Sequence, residues 1–481
     1  MRHQVSMNQR SLRAAILVAF LAVTAACGSQ LSEREVLART ATKVNAGGAN
    51  GTQNTPGAND VTTTTTIAPG TAVTSPGAAV AAGPTGAAAP GADTGPAPGA
   101  AAASVPCTTS ENGPILIGNV GNYSGAGGSA FSQMPRGVQL WAATVNRRGG
   151  LCGREVKVVV QDDGGDPARY ASLVRDLVEN RHVVSFVGNG AALSAQGGLD
   201  YHRRSGVPVI GTDCTSAFWY DSPVLFSPCA TPYQQASNLV ANGVALSGKT
   251  KFGYVYCTEA QACLDADRNF QNGAASEAGA QLVYRHSISI TQVDFTAECQ
   301  AARDAGAELF FVAADPATLQ RFAQSCARQN FLPQYASSSV TWNPDALSVH
   351  GLENVALHMP TMPFTGGSGG AIDDYNHAIQ AFAPGTKPGP GLALGWVAGK
   401  LFDLAATGAA RTTTSITPQG LIAALHAVHD ETLGGLTVPL NFATDGAHNA
   451  NCYFSMQGDG TGKGYRLPKG PAAICRSRAP S

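Results

Sequence analysis

Several stretches of this chain contain residue types that could carry out chemistry. Gly366–Gly370 has the Gly-x-Ser-x-Gly spacing of a serine hydrolase, but Pro363 and further glycines surround it instead of a strand and a helix. Gly458–Gly464 shows part of a phosphate-loop pattern, yet Gln457 and Gly464 stand where a glycine and a hydroxyl residue are required. We therefore expect neither a nucleophilic serine nor a nucleotide site at these positions.

The patterns that bind cofactors and metals are also incomplete. The loop Gly121–Gly128 follows an apolar stretch, but it does not spell Gly-x-Gly-x-x-Gly, the pattern of dinucleotide binding. His426 and His429 lie three residues apart on a predicted helix, without the His-Glu-x-x-His of zinc proteases. The cysteines form no Cys-x-x-Cys cluster. We therefore predict no cofactor and no metal.

The bulk composition limits the classes of partner. Lys and Arg (31) nearly balance Asp and Glu (32), so we expect no nucleic acid partner. A chain of 481 residues is too long for one hydrophobic core, which predicts two or more units. Eleven cysteines are typical of an oxidising, extracytoplasmic compartment.

The N-terminus carries an export signal. Three arginines among the first 13 residues precede the apolar run Ala14–Ala26, which is shorter than the about 20 residues of a membrane span. Residues 1–26 are therefore predicted to be a signal peptide. Its end, Val23–Cys27, resembles a bacterial lipobox, although Thr24 replaces the usual Leu, Val or Ile. We predict a lipid on Cys27; ordinary cleavage without lipid is the alternative.

The stretch that follows has the composition of a tether. Ala, Gly, Pro and Thr dominate residues 46–106, in which Asp60 and Asp93 are the only charges. Too few large apolar side chains are present to offset the entropy of ordering the chain. We predict that residues 27–111 form a lipidated N-terminus and a disordered tether.

From about Pro114 onward, short apolar strands alternate with amphipathic helices. Apolar residues at steps of three and four between Phe131 and Val145 predict a helix with one buried face. Two strand–helix series, starting near Ile115 and near Phe252, predict two α/β lobes. Each lobe should be a parallel sheet flanked by helices, with a cleft between the lobes.

Several segments, taken in order, resemble the type I periplasmic binding proteins, specifically the Leu/Ile/Val-binding family of ABC importers. They are Ile115–Gly125, Ala142–Asn146 with Gly149 and Gly150, Val159–Asp163 with Asp166 and Pro167, Val187–Gly188, Val207–Gly211, Asp294–Phe295, and Val438–Phe442 with Gly446. Each motif is weak alone, but their order and spacing are specific. The resemblance covers residues 112–476.

The resemblance implies a fold and a function. Three chain crossings would divide the protein into lobe one (112–230 plus 340–438) and lobe two (231–339 plus 439–476). Family members bind a small solute in the cleft, dock on a permease and catalyse nothing. We therefore expect an extracytoplasmic lipoprotein, anchored to the cell membrane, that delivers a solute to ABC permease subunits. The alternatives are a ligand-sensing receptor of the same fold without transport, and a secreted α/β hydrolase.

Ligand contacts in such folds come from loops at the carboxyl ends of strands and from helix N-termini. The expected ligand-binding residues are Tyr123, Ser124, Ala192, Ser194, Asp213, Thr215, Glu259, Gln261, Asp315, Thr341 and Trp342. Thr215 falls on the family's threonine, whereas Ala192 and Gln261 replace its serine and an aromatic residue. The family's acidic residue near 339–341 is missing. These departures count against branched-chain amino acids as ligands.

The expected site offers hydroxyls, amides and two candidate carboxylates, Asp213 and Asp315, without a cluster of Lys or Arg. Either aspartate could instead cap a helix or a turn. This set indicates a small neutral or zwitterionic polar solute, with Tyr123 or Trp342 covering any apolar part. If so, Thr215→Ala and Asp213→Ala each weaken binding and leave the melting temperature of the unliganded protein nearly unchanged.

Ten cysteines remain once Cys27 is set aside, and they allow hundreds of pairings among which sequence alone cannot choose. We take nearest-neighbour pairing as the hypothesis. The predicted disulfides are Cys107–Cys152, Cys214–Cys229, Cys257–Cys263, Cys299–Cys326 and Cys452–Cys475.

Overall fold

The computed structural model describes residues 113–125, 128–412 and 415–477, all within the unit Pro96–Ser481. The predicted signal peptide, the lipidation site Cys27, the tether and Cys107 lie outside the described residues. In the described part of the chain, no helix has both the length and the apolar character needed to cross a membrane.

A five-stranded parallel sheet forms the centre of the first lobe, with strand order β2-β1-β3-β4-β5. Its strands are β1 (Ile115–Gly121), β2 (Val156–Asp162), β3 (Ser185–Asn189), β4 (Val209–Thr212) and β5 (Leu225–Phe226). The helices within this stretch are α1 (Gly128–Phe131), α2 (Met134–Arg147), α3 (Pro167–Glu179) and α4 (Leu199–Ser205). Strands β3 and β4 are buried along their whole length, as expected for a parallel sheet covered on both faces.

A second sheet forms the centre of the second lobe, with the order β14-β13-β10-β9-β8-β6-β7. Its strands are β6 (Lys251–Cys257), β7 (Gln281–Ile288), β8 (Leu309–Ala313), β9 (Gln334–Ser338), β10 (Ala356–Met359), β13 (Cys452–Gly458) and β14 (Tyr465–Arg466), and β15 (Ile474–Cys475) pairs with β13. The helices within this stretch are α5 (Pro232–Ser247), α6 (Gln261–Gln271), α7 (Ala274–Glu277), α8 (Thr296–Asp304) and α9 (Pro316–Ala327). Strands β6 to β10 pair in parallel, and β13 returns antiparallel to β10.

Between β10 and β13, the chain returns to the first lobe. It forms α10 (Ala371–Phe382), α11 (Pro390–Thr412), α12 (Pro418–His426) and the small hairpin of β11 (Phe442–Ala443) and β12 (Gly446–Ala447). Helix α11 packs closely on α2, where Gly137 faces the backbone of Leu392 and Gly395 faces the backbone of Met134. A Cβ atom at either glycine would overlap that backbone, so the close crossing requires small residues.

Two of the predicted lobe boundaries are wrong. Residues 340–359 were assigned to lobe one, but β10 hydrogen-bonds to β9 and to β13 in the second sheet. Residues 439–447 were assigned to lobe two, but the hairpin lies against the first lobe, where the Ala447 N–H donates to the Tyr220 carbonyl at 3.1 Å. The crossings therefore fall near residues 227–231, 359–361 and 448–452, because strand pairing rather than motif position decides to which sheet a segment belongs.

The strands and helices themselves follow the sequence pattern. Many helices begin where Asp or Thr precedes a proline, because the side-chain oxygen caps a free N–H group and proline needs no hydrogen-bond partner at that position. Asp166, Thr231, Asp315 and Thr417 cap α3, α5, α9 and α12 in this way. Helices α6 and α7 follow each other closely and are separated at Gly273, which has φ +99°.

Four of the five predicted disulfides are present: Cys214–Cys229, Cys257–Cys263, Cys299–Cys326 and Cys452–Cys475. The pairing of Cys107 with Cys152 stays a prediction, since Cys107 is outside the described residues. The bridge Cys299–Cys326 joins α8 to α9, which flank β8, and Cys452–Cys475 joins β13 to β15. These covalent links hold neighbouring elements of the second lobe together.

Candidate ligand-binding site

A cleft lies between the two lobes, at the carboxyl ends of the parallel strands. Loops after β1, β3 and β4 form one wall, and α5, α6 and the ends of β6 and β8 form the other. The empty volume of the cleft, including the part open to solvent, is ≈ 1000 Å³. Small-molecule sites occur preferentially at such junctions between domains.

The cleft walls are mostly apolar. Phe131 and Leu193 contribute from the first lobe, and Leu239, Phe270 and Phe311 from the second. Alanines of both lobes fill much of the remaining wall. In the described part of the chain, Asp315 is the one carboxylate that borders the cleft, and no Lys or Arg does.

The disulfide Cys214–Cys229 lies at the rim of the cleft, beside the hinge between the lobes. Cys214 has a left-handed backbone with φ +64°, and its bond to Cys229 ties this turn to the first crossing. The Gln235 Nε2 atom of α5 donates to the carbonyls of Cys214 (2.8 Å) and Ala230 (2.9 Å), which links the lobes at the hinge. Near the third crossing, Asn449 Nδ2 donates to two backbone carbonyls of the first crossing, those of residues 227 and 229, at 2.8 Å each.

Four of the predicted site residues border the cleft: Ala192, Thr215, Asp315 and Thr341. The carboxylate of Asp315 accepts from the N–H groups of Ala317 (2.9 Å) and Thr318 (3.2 Å), so it acts as the N-cap of α9. The hydroxyl of Thr341 donates to the carbonyl of residue 338 at 3.0 Å. Contact between these residues and a ligand stays a prediction.

Asp213 does not border the cleft. Its buried carboxylate accepts from the N–H of Ala191 (3.1 Å), the N–H and hydroxyl of Thr215 (3.0 and 2.6 Å) and the indole of Trp219 (3.1 Å). Burial raises the pKa of Asp213, and the hydrogen bonds from Thr215, Ala191 and Trp219 oppose that increase. The arrangement is that of a structural carboxylate which fixes the turn after β4.

The other predicted site residues also lie outside the cleft wall. In the first lobe, the Tyr123 hydroxyl donates to Asn119 Oδ1 (2.7 Å), Ser194 donates to Asp163 (2.9 Å), and Ser124 is exposed. In the second lobe, the exposed Glu259 accepts from the Ile290 N–H (3.1 Å), and Gln261 donates to Asp265 (2.8 Å). The Trp342 indole donates to the Tyr465 hydroxyl (2.9 Å). Each of these side chains links two segments of the protein or stabilises a local turn or helix; that of Ser124 hydrogen-bonds to Asp162.

Sequence reasoning missed five polar residues that border the cleft: Asn122, Gln235, Asn269, Ser338 and His358. Asn122 and His358 are the most deeply buried of them. Asn122 follows β1 in the first lobe and is 0% exposed; His358 lies within β10 in the second lobe and is 1% exposed. The side-chain nitrogen and oxygen of Asn122, and both ring nitrogens of His358, have no hydrogen-bond partner among the described residues. The rule that ligand contacts follow strand ends could have found Asn122, but no sequence signal marked a histidine inside a strand.

The environment of His358 keeps its imidazole neutral. Burial lowers the pKa of His358 to about 3, since the charged form cannot be hydrated there. The ring is stacked on that of Tyr453, with centroids 5.7 Å apart. At neutral pH this side chain therefore offers one donor and one acceptor without charge.

Two α/β lobes joined by three crossings around a cleft define the class of two-lobed ligand-binding proteins. The model of the family described as periplasmic binding protein matches residues 114–463, and the chain belongs to this family. The family and the two-lobed α/β fold predicted from the sequence are thus confirmed.

Individual relatives are distant. An amino acid binding protein of Pseudomonas aeruginosa is 24% identical over 217 residues, which are 44% of this chain and 57% of the relative, so the chain spans little more than half the length of the curated relatives it matches. A fatty acid ABC transporter substrate-binding protein from Thermomonospora curvata is similar in structure (TM-score 0.62, 18% identity, 76% of this chain and 92% of that one). So is an ABC transporter solute-binding protein from R. palustris in complex with benzoate (TM-score 0.61, 16% identity, 76% and 99%).

Proposed function

We propose that this protein is the extracytoplasmic solute-binding component of an ABC importer, anchored to the membrane by lipid on Cys27. It binds a small solute between its lobes and delivers it to permease subunits, without catalysis. The observation that carries this proposal is the cleft, which has one wall on each lobe and three chain crossings at its base. A solute that contacts both walls favours an arrangement in which the two lobes close around it, because only that arrangement allows both sets of contacts.

The names of the relatives support a solute-binding role. They include an amino acid binding protein and substrate-binding proteins of ABC transporters. For the ligand, the curated relatives favour an amino-acid-like polar solute, as expected from the sequence, whereas the apolar walls favour a more hydrophobic one.

Screening followed by uptake tests this proposal. Thermal-shift screening against a library of amino acids, organic acids and hydrophobic solutes should identify a stabilising solute, since ligands that bind only the folded state raise its apparent stability. Cells lacking the gene should then lose uptake of that solute, and the parent gene should restore it. Uptake that is unaffected by the deletion would contradict transport and favour the sensing alternative.

A further inference from the structure

The cleft combines broad apolar walls with a smaller number of polar side chains, two of which have no hydrogen-bond partner among the described residues. Nine residues among those described have buried side-chain polar atoms without a partner, and Asn122 and His358 are the two of them that border the cleft. Buried polar groups in folded proteins are normally paired, because an unpaired group loses its hydration and gains nothing in return. Two such groups on opposite walls of one cleft therefore point to a partner that occupies the cleft.

The charge of that partner follows from the cleft wall. An ionised group taken out of water needs a counter-ion or a full set of hydrogen bonds. No Lys or Arg borders the cleft in the described part of the chain, and Asp315 already caps α9. A carboxylate would thus lack a cation, and an ammonium group would find only a carboxylate that two backbone N–H groups already occupy.

The N-terminus of α6 is the nearest substitute for a cation. Its N-cap, Ala260, borders the cleft and makes no side-chain capping bond, so no capping side chain competes with a ligand oxygen for the N–H groups of Gln261 and Ala262. A helix N-terminus supplies only about half a unit of positive charge. The helix N-terminus can therefore bind a carbonyl or hydroxyl oxygen, but it cannot neutralise a carboxylate as a full cation would.

We propose that the ligand is an uncharged, largely hydrophobic small molecule whose hydrogen-bonding head group contacts Asn122 on the first lobe and His358 on the second. This inference rests on the proposed function and names the solute class of the same cleft. The amide and the imidazole each donate one hydrogen bond and accept another, which matches a head group such as a primary amide. The apolar body of the ligand packs against the phenylalanine, leucine and alanine side chains of the walls.

A panel of four compounds with one aromatic ring tests the charge preference. The probes are benzamide (neutral head), benzoate (anionic head), L-phenylalanine (zwitterionic head) and toluene (no head group). In calorimetric titrations of the full folded protein, we expect benzamide to bind at least about tenfold more tightly than each of the others, since burying the unpaired charge of benzoate or phenylalanine is costly and toluene forms no hydrogen bonds. The proposal is overturned if benzoate or phenylalanine binds more tightly than benzamide. It is also overturned if none of the four compounds binds.

Two substitutions test the residues. Asn122→Leu and His358→Leu should each weaken benzamide binding about threefold to tenfold, the usual effect of one lost neutral hydrogen bond. Each should leave the melting temperature of the unliganded protein unchanged or higher, because an unpaired buried polar group is removed. A purely structural role predicts a lower melting temperature and unchanged binding, and that result overturns the assignment.

A matched control and a rescue variant complete the test. Asn242→Leu makes the same change at a buried residue outside the cleft, whose Oδ1 accepts from the hydroxyl of Ser455 at 2.7 Å. It should lower stability and leave benzamide binding intact. His358→Gln keeps a donor and an acceptor and should bind benzamide more tightly than His358→Leu. If the compound panel fails but uptake of another solute depends on the gene, the solute class is wrong and the proposed transport function stands.

Discussion

Replacement of Asp213 by alanine separates the role expected from sequence from the role indicated by structure. As a ligand carboxylate, Asp213 could be removed with little effect on the unliganded protein. In the structure its carboxylate is fully buried and accepts from Ala191, Thr215 and Trp219. We therefore expect Asp213→Ala to destabilise the protein in the absence of any ligand.

The magnitude follows from the donors that the substitution leaves behind. Thr215 is half-buried, and its groups can find water, whereas the Ala191 N–H and the Trp219 indole belong to fully buried residues. Each buried donor without a partner costs about 1–3 kcal/mol, so the two together cost about 2–6 kcal/mol. This is a large share of the about 5–15 kcal/mol by which a typical folded protein is stable.

Urea unfolding followed by far-UV circular dichroism measures this cost. The matched control is Asp213→Asn, which has nearly the same volume and keeps one acceptor oxygen, so it should lose about 1–3 kcal/mol of unfolding free energy. The expected order of stability is parent, then asparagine, then alanine. An alanine variant within about 0.5 kcal/mol of the parent, the usual range for surface changes, would refute the structural role of Asp213.

Three further outcomes are expected. Acidification from pH 7 to pH 5 should lower the unfolding free energy by about 2 kcal/mol for each of His202 and His358. Burial lowers both pKa values to about 3, whereas the unfolded histidines have a pKa near 6.5 and therefore take up protons first. In urea titrations at both pH values, His358→Leu should remove about half of this loss. Replacing Cys299 and Cys326 together by alanine should cost about 3–4 kcal/mol in the same assay, since the bridge spans 27 residues, and an unchanged unfolding midpoint would contradict this. Cys27→Ala should move the protein from the membrane fraction to the soluble fraction; a variant that stays with the membrane would contradict the lipid anchor.

The fold was predictable from the sequence wherever one local pattern determines the outcome. Apolar runs such as Ile115–Gly121 can form strands buried on both faces, and Asp or Thr before proline marks helix starts. The lobe boundaries were not predictable in the same way. From sequence, the residues of β10 could belong to either lobe. Their pairing with β9 and β13 assigns them to the second lobe, and β9 and β13 are more than 100 residues apart in the chain.

The site was predictable only as a location. The rule that ligands bind at strand ends led to the cleft and to Thr215 and Ala192. It could not show that Asp213 faces inward to bind Trp219, because a loop aspartate near a strand end is equally suited to ligand contact and to turn formation. The apolar character of the walls was also hidden, since it depends on helix faces that come together only in the folded protein.

Blocking the cleft tests most directly whether this protein binds a solute between its lobes. Ala192 borders the cleft and is half-buried, so the side chain introduced by Ala192→Trp should occupy part of the space that a ligand needs. The control, Ala301→Trp, makes the same change at an exposed position on α8, outside the cleft wall. We expect calorimetry with the most stabilising solute of the screen to show parent-like affinity for the control and a loss of at least about a hundredfold for Ala192→Trp, or roughly 3 kcal/mol. Equal affinity of the two variants would place the ligand elsewhere and contradict solute binding between the lobes.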